Sequence, residues 1–365
     1  MEKKRIVCTV TNDLHFDQRM IRICSSLQAA GYEVTLVGRL RPSSGRLKDQ
    51  TFQQKRLKCF FDKGKFFYVE YNIRLFFFLL FYPTDLICSI DLDTILPGYF
   101  ASFIRNKKRV FDAHELFCEM DEIVSRPSIY RLWKNIERFA MPKFKAGYTI
   151  GNAYAEEFKT MYGLQYEIVH NATVLQPIRP NEFKGEYILY QGAVNEGRCF
   201  EFLIPAMKVV NYPLLICGEG NFFEQAKTLV KQYELEDKIT FTGYIPPSSL
   251  ATITEKAIIG ITLFSNVGRS NYLSMANRYF DYMHAGIPQL CMNYPEYRTC
   301  NQRFEIALLI DEPKVEDIAQ ALNSLLSDRN KLLQMRNNAL LAREHYCWQN
   351  EEKKLIQFYQ KIFAN

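Results

Sequence analysis

Ser270–Tyr297, SNYLSMANRYFDYMHAGIPQLCMNYPEY, decides the reading of this chain. Ser274 or Asn277 is suited to cap a helix and Gly286 to end it, while Pro288 blocks any continuation. QLCMN is short and apolar enough for a central strand of a covered sheet. A helix start collects unpaired backbone N–H groups and partial positive charge, so the loop before it, with Asn271 and Ser274, suits a phosphate or diphosphate. Asp281 lies about one turn inside, where its carboxylate can accept hydrogen bonds from two neighbouring hydroxyls, as on a ribose. Taken alone, the pattern equally describes a strand-flanked helix with one solvated aspartate.

NRYFDYMHAGIP followed by PEY resembles the nucleotide-sugar helix of retaining glycosyltransferases of family 4, whose usual pattern is close to PNKLFEYMAAGLP followed by a loop with PE. The resemblance implies an α/β GT-B fold. Two Rossmann-like doubly wound domains would face each other across a cleft, and a C-terminal helix would return to the N-terminal domain. It also implies sugar transfer from a nucleotide diphosphate with retention of anomeric configuration. The family often has two glutamates here, separated by seven residues; this chain has Leu273 and Asp281. The first carboxylate usually touches donor sugar hydroxyls, so the donor is left open. Asn277 and Arg278, which open the helix, join the implied donor site.

At 365 residues the chain exceeds one comfortable core. The expected division is 1–172 as an acceptor domain, 173–345 as a donor domain and 346–365 as the returning helix. Thr173–Gly185, TVLQPIRPNEFKG, reads as the linker because prolines and polar residues replace periodicity there. MEKKRIVCTV is too short in its apolar part for a signal peptide, and no run reaches membrane-span length. The ten cysteines are scattered without C-x-x-C spacing, which reads as reduced, buried thiols. A cytoplasmic protein is expected. Residues 1–172 carry a net charge of +7 and the remainder −1, so the basic half is expected to meet an anionic partner. Nucleic acid is not that partner, since no zinc-ligand or RNA-binding signature is present.

KRIVCTV, TNDLHFDQ, RMIRICSSLQAAG and YEVTLVG form a βαβ unit whose turn lacks the G-x-G-x-x-G of dinucleotide enzymes. The resemblance places Thr11, Asn12 and Asp13 at an acceptor or phosphate turn; local turn chemistry is the alternative. Residues 55–82 combine Lys55, Arg56, Lys58, Lys63 and Lys65 with aromatics. Core packing is expected for Leu75–Phe81, preceded by a solvated basic loop, with membrane-surface contact for the residues before the helix. Asp91 and Asp93 could bind a divalent metal, but are read as capping the helix TILPGYFASFIR. KRVFDAHELF presents Asp112, His114 and Glu115 at a strand's carboxyl end, where ligands bind in open α/β sheets. The family often has a histidine there, hydrogen-bonded to the donor sugar, which implies that role for His114.

GAVNEGRCFE resembles the family loop GRLSPEKG, with Ala193 in the arginine position and Arg198 in that of the lysine. Gly192 and Arg198 are therefore expected at the diphosphate, and Gly218 and Glu219 at the turn after PLLIC. Backbone groups near Tyr244 and Ile245 are expected at the nucleotide base. The implied function is transfer from a UDP- or GDP-sugar to a saccharide or lipid-linked saccharide in cell-surface polysaccharide assembly. No cofactor and no bound metal are expected, and the protein would sit peripherally at the inner face of the cell membrane. The competing readings are a nucleotide-sugar epimerase and a non-catalytic nucleotide-sugar-binding subunit, the latter suggested by Leu273 and Ala193.

Overall fold

The computed structural model describes residues 3–15, 17–177, 183 and 185–364, with 247 and 248 described by backbone only. The linker expected over Thr173–Gly185 falls partly outside them, at 178–182 and 184. The chain divides into two compact units: Met1–Asn171 with Glu351–Asn365, and Ala172–Asn350.

The first unit is a seven-stranded sheet in the order β3-β2-β1-β4-β5-β6-β7. Its strands are β1 (Arg5–Thr9), β2 (Glu33–Leu40), β3 (Gln53–Lys58), β4 (Leu86–Ile90), β5 (Lys108–Ala113), β6 (Gly147–Thr149) and β7 (Glu167–Ile168), all parallel. Its helices are α1 (Gln18–Ala29), α2 (Gly64–Phe81), α3 (Ile95–Ile104), α4 (Asp121–Val124), α5 (Pro127–Ala140) and α6 (Asn152–Tyr162). LICSI of β4 is apolar and wholly buried, as a strand covered on both faces must be.

Two expectations change here. Lys55, Arg56 and Lys58 stand on β3, paired in register with β2, and not in a loop. Charged side chains suit this edge strand because they discourage further pairing. In α2, Phe67, Tyr71, Leu75 and Leu79 repeat every four residues and pack on Val7, Val37 and Ile87. Phe66, Val69, Ile73, Phe77 and Phe81 form a second stripe, each more than half exposed. Core packing therefore holds for Leu75 and Leu79 but not for Phe77 and Phe81.

The second unit is a six-stranded parallel sheet in the order β10-β9-β8-β11-β12-β13. Its strands are β8 (Tyr187–Gln191), β9 (Leu214–Cys217), β10 (Ile239–Gly243), β11 (Ala257–Thr262), β12 (Gln289–Met292) and β13 (Ala307–Ile310). The helices are α7 (Phe200–Ala206), α8 (Phe223–Gln232), α9 (Pro247–Thr254), α10 (Arg269–Leu273), α11 (Asn277–Ala285), α12 (Pro295–Phe304), α13 (Val315–Ser327) and α14 (Arg329–His345). The helix α15 (Trp348–Ala364) starts in the second unit and continues as part of the first. There Tyr359 lies 6.2 Å from the Tyr148 ring, and buried Glu351 accepts a 3.0 Å hydrogen bond from the His170 backbone.

The helix α11 is held by a close approach. A Cβ on Gly260 of β11 would lie 2.4 Å from the Tyr282 ring, so glycine makes room for the tyrosine. The Tyr282 hydroxyl donates to Leu189 O at 2.9 Å and accepts from Gln191 N at 3.1 Å, tying the helix to β8. Neither Ser274 nor Asn277 caps α11. Ala276 occupies the cap position, its N–H held by the Tyr297 hydroxyl at 3.0 Å, while the Ser274 hydroxyl turns to Asn271 O. Gly286 ends the helix in the left-handed conformation, φ 69°.

Candidate functional site

In a doubly wound sheet, ligands bind beyond the carboxyl ends of the strands where the strand order reverses. In the second unit that point lies between β8 and β11. The turns after β8 and β9 meet closely: a Cβ on Gly218, at φ 140°, would lie 1.8 Å from Gly192 O. Only glycine lets these backbones meet.

Two cations converge on one ring at the end of β11. The Arg198 guanidinium lies 4.4 Å from the Phe264 ring centroid and that of Arg278 4.8 Å. Arg278 is buried, donates to Gln191 O at 3.0 Å and stacks on Tyr190. Arg198 donates to Asn271 Oδ1 at 3.3 Å. Two guanidinium groups beside a glycine turn offer fixed donors to phosphate oxygens.

Asp281 Oδ1 accepts from the Thr173 hydroxyl at 2.8 Å, and Oδ2 from Gln191 Nε2 at 3.1 Å. Gln191 is itself oriented by the Thr254 hydroxyl at 2.7 Å. These neutral donors fix the orientation of the carboxylate. Glu219 Oε1 accepts a 3.4 Å bond from Tyr244 N, and Ile245 packs partly against the core. Leu273 is buried, so no carboxylate stands at that position. Thr173, Gln191 and Phe264 were not anticipated from the sequence. Gln191 and Phe264 carried a usable signal, since each closes an apolar strand run.

In the first unit the order reverses between β1 and β4, and the residues beyond these strands are acidic. His114 Nε2 pairs with Asp112 Oδ2 at 2.9 Å, and Asp112 Oδ1 with the Arg19 guanidinium at 2.9 Å. His114 Nδ1 lies 3.6 Å from Asp91 Oδ2, and Asp91 Oδ1 accepts from the His114 backbone at 2.8 Å. Burial works against a charged imidazole, yet Asp112 and Asp91 together hold the His114 proton above its usual range. Burial would raise Asp112, but Arg19 and His114 outweigh it and hold the carboxyl low. Burial pushes Asp91 up to about 8 and Asp93 to about 6, against the opposing pulls of His114 and Thr11.

The Asp91 and Asp93 side chains do not cap a helix. Asp91 holds the β5 turn, and Asp93 accepts from the Thr11 hydroxyl at 2.5 Å. Asn12 donates to Asp17 at 2.6 Å, and Asp13 accepts from His15 N and the Ser44 hydroxyl, so all three turn side chains are hydrogen-bonded, Thr11 to the distant Asp93. Arg19 was not singled out from the sequence, although an arginine on the inward stripe of α1 is a legible oddity. Among the described residues, no group of three or more His, Cys, Asp or Glu could hold a metal ion. All ten cysteines are free and nine are buried.

Residues 176–341, which hold the glycine turns, both arginines and Asp281, match the family model described as glycosyl transferases group 1. With the two parallel sheets, this defines a GT-B fold carrying a group 1 glycosyl transferase segment. The chain is similar to sucrose-phosphate synthase from Thermosynechococcus elongatus, with TM-score 0.85 and 16% identity over 99% of this chain and 100% of that one. It is similar to HepE from Anabaena, solved with UDP-glucose, with TM-score 0.75 and 12% identity over 98% and 99%. A third likeness is to TarM from S. aureus, solved with Fondaparinux, alpha-GlcNAc-glycerol and UDP, with TM-score 0.73 and 10% identity over 99% and 100%. At these identities the likenesses show the fold. A comparison with curated proteins finds no match.

Proposed function

We propose that the chain is a retaining glycosyltransferase that moves a hexose from a UDP- or GDP-sugar to a saccharide or lipid-linked saccharide in cell-surface polysaccharide assembly. The observation that carries this reading is the pairing of Arg198 and Arg278 around Phe264 beside the Gly192 and Gly218 turn, inside the group 1 segment. The two arginines take the diphosphate, Asp281 the ribose and the backbone near Tyr244 and Ile245 the base. His114, oriented by Asp112, positions the donor sugar. The bond from the anomeric carbon to the diphosphate oxygen breaks with its electron pair going to the diphosphate. The acceptor hydroxyl adds on the same face and gives its proton to the departing oxygen. Arginine charge and the α11 N-terminus stabilise that oxygen, which supports transfer without a metal.

No described helix is long and apolar enough to cross a membrane. The exposed stripe of α2, flanked by Lys63, Lys65 and Arg74, supports peripheral contact with an anionic bilayer. A thermal-shift screen of nucleotide sugars, beginning with UDP-glucose, tests the donor reading. A ligand at a hundred times its Kd adds about 2.7 kcal/mol to stability. NMR of the product with an acceptor should show the donor's anomeric configuration; an inverted product, or an epimer formed without acceptor, would overturn the reading.

A further inference from the structure

A pocket of about 250 Å³ opens in the first unit between β2 and the start of α2, lined by Arg39, Arg41, Asp62, Lys63, Phe67 and Tyr68 among others. Three cations face one carboxylate. The Arg39 guanidinium lies 3.9 Å from the Phe67 ring centroid and donates to Asp62 O at 2.8 Å, with Asp62 Oδ1 3.7 Å away. Its buried Nε has no hydrogen-bond partner. Burial, and after it the neighbouring Arg41, act against the charge of Arg39 and outweigh the opposing pull of Asp62. Arg41 and Lys63 are exposed and make no ion pair among the described residues. The volume is below the roughly 300–1,000 Å³ of sites that enclose drug-sized ligands, so it suits one phosphorylated sugar residue better than a whole nucleotide sugar.

We infer that this pocket binds the phosphate of a phosphate-bearing acceptor, with Arg41 and Lys63 as the phosphate ligands and Tyr68 beside the sugar. The inference rests on the glycosyltransferase reading and narrows its acceptor class. Arg39 is the fixed floor of the site: stacked on Phe67 and held by Asp62, it supplies positive charge without moving. The helix α2, with Lys63 at its N-cap, brings Phe67 and Tyr68 to the pocket and carries the exposed stripe from Phe66 to Phe81, so the phosphate can arrive on a lipid or on a soluble sugar.

The test uses the full chain and its Arg41→Ala, Lys63→Ala double variant, both changes being at exposed positions. Calorimetry with a hexose 1-phosphate, the free hexose and UDP should show the phosphate ester binding more tightly than the free hexose. The double variant should weaken the ester on the order of ten- to a hundredfold, as for lost charged hydrogen bonds, and leave UDP affinity unchanged. Flotation with phosphatidylcholine vesicles, with and without polyprenyl phosphate, separates the sources. Phosphate-dependent flotation lost in the variant assigns the group to a lipid, whereas tight soluble-ester binding with indifferent flotation assigns it to a free sugar phosphate. If neither probe distinguishes the double variant from the parent chain, the inference is wrong. Failure of the parent chain to bind UDP would refute the donor reading alone, because the ester measurements report on this pocket separately.

Discussion

The two units share one strand order and differ in what stands at its reversal. In the second, two arginines and two crowded glycines surround the ends of β8 and β11. In the first, Asp91, Asp112 and His114 form a hydrogen-bonded network braced by Arg19, while Asp93 accepts from the Thr11 hydroxyl. The same backbone scheme thus gathers guanidinium groups in one unit and carboxylates with a histidine in the other. The sheet fixes where a ligand can sit, and a handful of strand-end residues fixes what it can be.

If the second unit is the anion-binding half, losing a cation there should have the largest effect. Arg198→Ala is expected to lower transfer on the order of a hundredfold to a thousandfold in a steady-state assay, with EDTA having little effect. An enzyme indifferent to this change but silenced by EDTA would erase the contrast and return Asp91 and Asp93 to consideration as metal ligands. Asp281→Ala should weaken UDP or GDP binding by about 1.5–3 kcal/mol in calorimetry. Unchanged affinity in a folded variant would leave Asp281 a purely structural partner of Thr173 and Gln191.

The comparison also concerns stability. Gly260→Ala should destabilise the protein by about 1–3 kcal/mol in denaturant unfolding, through overlap with the Tyr282 ring. In a double-mutant cycle with Tyr282→Ala the two costs should be clearly less than additive, and strict additivity would reject the contact.

The smallest effect belongs to the acidic network. Asp91, Asp93 and His114 all have proton affinities raised by folding, so their contribution is lost as pH rises through the folded values, about 6 for Asp93 and about 8 for Asp91. Asp112 is held low, so its contribution is lost only as pH falls below the usual carboxylate range. Melting temperature should therefore decline between pH 5 and 8.5 by roughly 2–4 °C, and Asp91→Asn should flatten that decline. A profile that rises over this window, or one that Asp91→Asn leaves unaltered, would show that the network titrates otherwise.

The fold was legible because apolar runs such as RIVCT and LICSI alternate with helical periodicity, and because Gly286 and Pro288 mark where α11 must stop. The cap of α11 was not legible, since a distant hydroxyl on Tyr297 takes the place a local side chain would fill. The α2 stripe was hidden by composition: a helix apolar on nearly every face does not reveal from its sequence which face is covered. His114, just past the carboxyl end of β5, and Asp281, one turn inside α11, were singled out by position together with the family resemblance. Their neighbours Arg19, Thr173 and Phe264 come from other parts of the sequence and become visible only when the chain is folded.

The helix α15 has a consequence for synthesis. The first unit's initial 171 residues leave the ribosome before Ala172–Asn350, yet the stretch that supplies Glu351 and Tyr359 follows that whole segment. At bacterial or eukaryotic translation speeds the delay is roughly ten to forty seconds. Throughout it, the nascent first unit lacks the Glu351 carboxylate that accepts from the His170 backbone and the Tyr359 ring beside Tyr148. The half of the protein that is made first is thus the half that finishes folding last, and the interval is when a chaperone would find most to hold.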